Sequence, residues 1–156
     1  MWQFIDKVKN VVRWLPIIWK DRDFDSNYLL DVMRFKISNM ETFFLSNDTH
    51  ILSADKVAKD LKICKLLLNR LTNDDYYDIV FKNHDKKWGE TKWEFVDDGK
   101  GLSRLLITRN KVITDEDKKR EGREFLRLCE HEEMLKRQDI RYLFHIMNRK
   151  LRTWWD

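Results

Sequence analysis

Proline and glycine are scarce in this chain: its 156 residues include one proline and four glycines. Sandwiches and barrels need many turns, and turns depend on these two residues, so an all-β fold is excluded. A hydrophobic content of 42% also excludes an intrinsically disordered chain. We therefore expect a mainly α protein, a single domain over residues 1–156 built as a helical bundle of five to six helices with a small β-hairpin insertion.

Cysteine is equally scarce, and long apolar runs are missing. Cys64 and Cys129 lie far apart on apolar helical positions, an arrangement typical of free thiols in a reducing compartment. No apolar run approaches the roughly 20 residues of a membrane-spanning helix. These absences predict a cytoplasmic protein without integral membrane association.

Apolar residues recur at spacings of three and four along most of the chain, which predicts helices. The predicted helices are residues 4–15, ended by Pro16; 25–45, capped by Asp25 or Ser26; 54–71, capped by Ser53; 74–81; and 114–137, started by Thr114 and separated from a last helix by a break at Gln138–Asp139. The first helix is amphipathic, and we expect its apolar face to dock on the protein's own core.

The period changes between the fourth helix and Thr114. Residues 92–95 alternate between polar and aromatic side chains as a strand does, and residues 103–108 are rich in branched side chains. Asp98-Gly99-Lys100-Gly101 between them has the chemistry of a turn. The sequence therefore predicts a β-hairpin insertion at 91–109.

The net charge of +4 is spread unevenly along the chain. Residues 34–71 contain seven basic and four acidic side chains, so the second and third predicted helices carry much of the excess. Duplex-binding proteins usually show a stronger basic stripe, because phosphate neutralisation supplies most of their affinity. A nucleic acid is therefore an alternative partner and not the first choice.

Residues 81–90 interrupt the helical pattern with an imidazole, two carboxylates, three ammonium groups, an indole and a glycine. Trp88 lies near lysines and arginines, a combination that suits a nucleotide because a flat ring can stack on the base while cations bind the phosphates. The alternative is that Trp88 anchors a loop to the core while the lysines face water. The predicted ligand-binding residues are His84, Asp85, Lys86, Lys87, Trp88, Arg104 and Arg109.

Catalytic motifs are missing from the chain. No serine or cysteine stands in a nucleophile motif, and no glycine-rich loop precedes a helix in the phosphate-binding pattern. A weaker metal hypothesis draws on separate helices, and its candidate ligands are His84, Asp85, His131 and Glu132. We expect no cofactor and favour a binding protein over an enzyme, with a metal-dependent hydrolase as the second alternative.

Four segments carry a resemblance to a known family: residues 14–23 (WLPIIWKDRD), residues 81–90 (FKNHDKKWGE), residues 130–133 (EHEE) with Gln138-Asp139, and the closing WWD. Together they resemble a family of small tailed-bacteriophage proteins over nearly the whole chain. The resemblance implies a setting, the cytoplasm of an infected bacterium, and no particular activity.

Two classes of function fit this setting. The first is an anti-defence protein that sequesters a small signalling nucleotide of bacterial immunity, and we expect such a protein to be a homo-oligomer. The alternative is a nucleic-acid or protein-binding module of phage replication that uses the basic surface of residues 34–71.

Overall fold

A computed structural model describes residues 2–20, 22, 24–46, 50–97, 99 and 101–154. Within these residues the elements are α1 (Trp2–Ile18), α2 (Ser26–Phe44), α3 (Ala54–Asn73), α4 (Tyr76–Trp88), β1 (Thr91–Asp97), β2 (Ser103–Arg109), α5 (Asp115–Lys150) and a short 3-10 helix (Leu151–Thr153). The predicted class, mainly α with a small hairpin, is confirmed. The chain divides into two compact units, which we describe separately: unit 2 is Asp74–Gln138, and unit 1 is the remainder.

Unit 1 contains the larger apolar core. Helices α2 and α3 pack against each other, and the end of α5 and Trp154 contribute to the same cluster. Its most deeply buried side chains are Phe44, Leu61, Cys64, Leu68, Leu143 and Trp154. Cys64 is a free thiol, as predicted, and burial raises its pKa to about 11.

Helix α1 differs from its prediction in two ways. It continues past Pro16 to Ile18, and the apolar side chains of its first turns are exposed: Phe4 by 72% and Val11 by 64%. Its described contacts lie near its end, where Trp14 meets Phe35 edge-on at 4.9 Å between ring centroids. The prediction that the whole apolar face docks on the core is therefore wrong.

Local capping explains where two helices begin. The Asp25 side chain accepts the backbone N–H of Asn27 at the start of α2. The Thr114 hydroxyl accepts the backbone N–H of Asp117 at 3.0 Å and donates to the Asp117 carboxylate at 2.7 Å. These hydrogen bonds from Thr114 hold the pKa of Asp117 below its ordinary value. Both caps confirm the predicted helix starts.

Two expected helix boundaries are wrong. Helix α4 continues to Trp88, through the stretch where the sequence predicts an interruption, because Tyr76, Val80, His84 and Trp88 recur every four residues and form one buried face. Helix α5 continues through the expected break at Gln138–Asp139, where neither residue is a proline or a glycine.

The hairpin lies within the predicted bounds of 91–109. Its strands are antiparallel, and Trp93 is opposite Ile107 while Phe95 is opposite Leu105. Residues 98 and 100 of the predicted turn lie outside the described residues. Among the described helices, none has both the length and the apolar character needed to cross a bilayer.

Candidate functional site

Arg109, the last residue of β2, joins three segments of unit 2. Its guanidinium donates to the Asp85 carboxylate at 2.7 Å, to the Gly89 carbonyl oxygen at 2.7 Å and to the Glu121 carboxylate at 2.9 Å. Only 4% of its side chain is exposed. Because a guanidinium presents donors in several fixed directions, one arginine satisfies acceptors on α4, on α5 and in the turn after α4.

Gly89 allows this arrangement. Its φ of +85° is a left-handed conformation that side chains disfavour. A Cβ atom at this position would lie 1.6 Å from Oδ1 of Asn110. The glycine therefore lets the chain turn from α4 into β1 while its carbonyl oxygen accepts from Arg109.

His84 lies beside the same two carboxylates. Its Nδ1 is 4.0 Å from Oδ1 of Asp85 and its Nε2 is 3.7 Å from Oε1 of Glu121, both beyond hydrogen-bonding distance. Only 2% of the side chain is exposed, and neither ring nitrogen has a hydrogen-bond partner among the described residues. Buried polar atoms are usually paired, so this imidazole marks the site as a candidate for ligand binding.

Glu124 of α5 forms a second set of contacts with α4. It accepts the indole N–H of Trp88 at 2.7 Å and an N–H of the Lys87 ammonium at 2.6 Å. The hydrogen bonds from Lys87 and then Trp88 hold the pKa of Glu124 below its ordinary value. The Lys87 ammonium also lies 4.6 Å from the centroid of the Trp88 ring, a cation–π contact.

Trp88 is 5% exposed, so its ring packs within unit 2 and its edge is held by Glu124. In this conformation the ring face is covered and does not offer a stacking surface for a base. The geometry thus agrees with the alternative considered above, in which Trp88 anchors the chain, and it makes Lys87 the exposed member of the pair.

The predicted ligand-binding residues are only partly brought together. His84, Asp85, Lys87, Trp88 and Arg109 share the contacts described above. The side chain of Lys86 is exposed, and its carbonyl oxygen accepts from the Lys111 ammonium at 2.9 Å. Arg104 is exposed on β2, five positions before Arg109, or about 16 Å along an extended strand.

A groove between α4 and α5 runs past the buried imidazole and has a volume of about 350 Å³. We call it the α4–α5 groove. Its lining residues are Val80, Asn83, His84, Lys87, Glu124, Arg127 and Leu128. Its polar groups combine an amide, an imidazole, a carboxylate and two cations, a set suited to an anionic ligand with polar edges.

Sequence reasoning missed the contribution of α5 to this site. Glu121, Glu124 and Leu128 recur at spacings of three and four and therefore share a helix face. That periodicity was the available signal. Nothing local indicated that this face would meet α4, because the two segments lie 36 residues apart at the Trp88–Glu124 contact.

The metal hypothesis gains no support. Among the described residues, no group of three or more histidine, cysteine, aspartate or glutamate side chains is placed to hold a metal ion. Glu132 pairs with Lys136 at 2.9 Å, and His131 is exposed. Arg109 already supplies a cation to Asp85 and Glu121.

Comparison with models of known protein families, with curated proteins and with solved structures finds no significant match.

Replacing Arg109 with methionine should lower the free energy of unfolding by about 3–5 kcal/mol, because it leaves two partly buried carboxylates without their cation. Urea unfolding measures the change. Arg104→Met, on the same strand but exposed, is the matched control and should change stability by no more than about 0.5 kcal/mol. Equal effects of the two substitutions would contradict the role given to Arg109.

Replacing Glu124 with glutamine should cost stability at neutral pH and progressively less in acid. The pKa of Glu124 is lowered in the folded state, so its contribution is present above the ordinary glutamate pKa and is lost as pH falls through the lowered value. Urea midpoints of wild type and variant, compared between about pH 6 and about pH 3, test this. Glu130→Gln, an exposed position on α5, is the control; a gap between wild type and Glu124→Gln that does not change with pH would refute the assignment.

Proposed function

We propose that this protein is a binding protein for a small phosphorylated ligand of the nucleotide type, which it holds in the α4–α5 groove. The observation that carries the proposal is the buried imidazole of His84, which lines this groove and whose ring nitrogens have no hydrogen-bond partner among the described residues. A ligand hydroxyl or ring nitrogen that pairs with His84 removes the cost of that unsatisfied group.

The charged residues that line the α4–α5 groove support an anionic ligand. Arg127 lines the groove and is exposed. Lys87 lies across the groove on α4, and its charge is shared with Glu124. Two cations against one carboxylate give the groove a net positive charge, and a guanidinium binds phosphate oxygens in pairs.

The volume of the α4–α5 groove supports a small ligand. A volume of about 350 Å³ lies at the lower end of the range for small-molecule sites. Val80 and Leu128 supply apolar walls for a base or a sugar. The proposal needs no catalytic group. In the bacteriophage setting that the resemblance implies, the ligand would be a signalling nucleotide of bacterial immunity.

A thermal-stability screen tests this proposal with cyclic dinucleotides, cyclic trinucleotides, cyclic ADP-ribose isomers, inorganic phosphate and single-stranded DNA. A ligand at 100 times its dissociation constant should stabilise the fold by about 2.7 kcal/mol, a shift of several degrees in melting temperature. One nucleotide class should give this shift.

Arg127→Ala should weaken the response about tenfold in ligand concentration, because it removes a charge-assisted contact. Arg120→Ala, exposed on the same helix and outside the groove, should leave the response unchanged. The proposal fails if no nucleotide shifts the melting temperature, or if both variants respond like wild type. A shift produced only by DNA would favour the nucleic-acid alternative.

The hairpin supports the expected homo-oligomer. Its apolar face consists of Trp93, Phe95, Leu105 and Ile107, which are between 41% and 77% exposed. Within the described part of the chain, the sheet has only two strands, so the outer edge of β1 lacks a strand partner. An isolated hairpin is marginally stable, and free edges with apolar faces favour pairing.

Charge complementarity favours a second copy of this chain as the partner. If two β1 strands pair antiparallel about a two-fold axis at Trp93, Lys92 of each copy lies opposite Glu94 of the other. Within its own hairpin, neither residue faces a charge, because Lys92 is opposite Thr108 and Glu94 is opposite Leu106. The two Trp93 side chains then meet at the axis and join both apolar faces.

Sedimentation velocity at moderate salt tests the dimer through a charge swap. Lys92→Glu and Glu94→Lys should each weaken the dimer, because each puts like charges opposite one another. The double variant carrying both changes should restore it. A wild-type monomer at all concentrations, or a double variant no better than either single variant, would rule out this pairing.

A further inference from the structure

A second groove, in unit 1, differs in chemistry from the α4–α5 groove. It is formed by α1, α2, the end of α5 and Trp154, and its volume is about 490 Å³. We call it the Trp154 groove. Of its nine lining residues, Lys36 is the only charged one. Met33, Met40 and Met147 are among the others, and methionine side chains adapt readily to ligands of varied shape.

The indole N–H of Trp154 is a hydrogen-bond donor within the mostly apolar Trp154 groove. The residue is 1% exposed, and its indole nitrogen has no hydrogen-bond partner among the described residues. Buried donors without acceptors are rare in folded proteins, and the side-chain acceptors among the lining residues are methionine sulfurs, which accept hydrogen bonds only weakly. An oxygen atom of a bound molecule would satisfy this donor.

We propose that the Trp154 groove binds an amphipathic organic anion, a carboxylic acid with a medium-length apolar chain. The chain packs on the methionines, the acid group pairs with Lys36, and a ligand oxygen accepts the indole N–H of Trp154. An inorganic anion would leave the apolar walls uncovered, and a neutral hydrocarbon would leave both polar groups unused. The volume falls in the range of small-molecule sites.

The test uses 1-anilinonaphthalene-8-sulfonate, an amphipathic anion whose fluorescence rises in apolar sites, and displaces it with decanoate. Decanoate should displace the dye from wild type, and decanol should do so at least about tenfold less well, because it lacks the charge that pairs with Lys36. Lys36→Glu should weaken the binding of decanoate about tenfold or more and leave the binding of decanol unchanged. Lys62→Glu, an exposed lysine of α3 outside the groove, should behave like wild type.

Trp154→Phe provides a second readout. It keeps an aromatic ring but removes the N–H, so decanoate affinity should fall by a factor of roughly two to ten while circular dichroism stays unchanged. Failure of decanoate to displace the dye, or equal displacement by decanoate and decanol in wild type and Lys36→Glu, overturns the proposal.

Discussion

The buried guanidinium of Arg109 is the interaction on which the rest of unit 2 depends. It holds α4 through Asp85, α5 through Glu121 and the turn between α4 and β1 through the Gly89 carbonyl oxygen. The hairpin has no other buried residue along its two strands, so its position relative to the two helices is fixed at its base. Burying charges is costly unless they are paired, and here the pairing itself determines which segments must meet.

The ion pairs of Arg109 with Asp85 and Glu121 lie beside His84 in the candidate site. Asp85 and Glu121 both pair with Arg109, and their carboxylate oxygens lie 4.0 and 3.7 Å from the ring nitrogens of His84, beyond hydrogen-bonding distance. The imidazole lies buried at one side of the α4–α5 groove without a hydrogen-bond partner in the described part of the chain, and Lys87 and Arg127 also line the groove. The ion pairs of Arg109 thus support the site, and the His84 imidazole is the group that a ligand would contact.

Much of the fold could be predicted because its signals are local. The caps at Asp25 and Thr114 and the hairpin bounds depend on neighbouring residues alone. The errors arose where tertiary burial decides. The sequence predicts His84 and Trp88 as ligand-binding residues. In the structure they follow Val80 at intervals of four residues and belong to a buried helix face. For the site, the sequence predicts Asp85 and Arg109 as ligand contacts, whereas in the structure Arg109 pairs with both Asp85 and Glu121, and no local pattern links these three residues.

A histidine side-chain NMR titration with the nucleotide that gives the largest thermal shift tests whether that ligand binds at His84. His84 is buried, whereas His50, His131 and His145 are exposed, so their ring signals are separate probes of the same sample. We expect the His84 signals to shift and saturate as ligand is added while the signals of the other three histidines stay in place. Unchanged His84 signals at a ligand concentration that saturates the thermal response would contradict it.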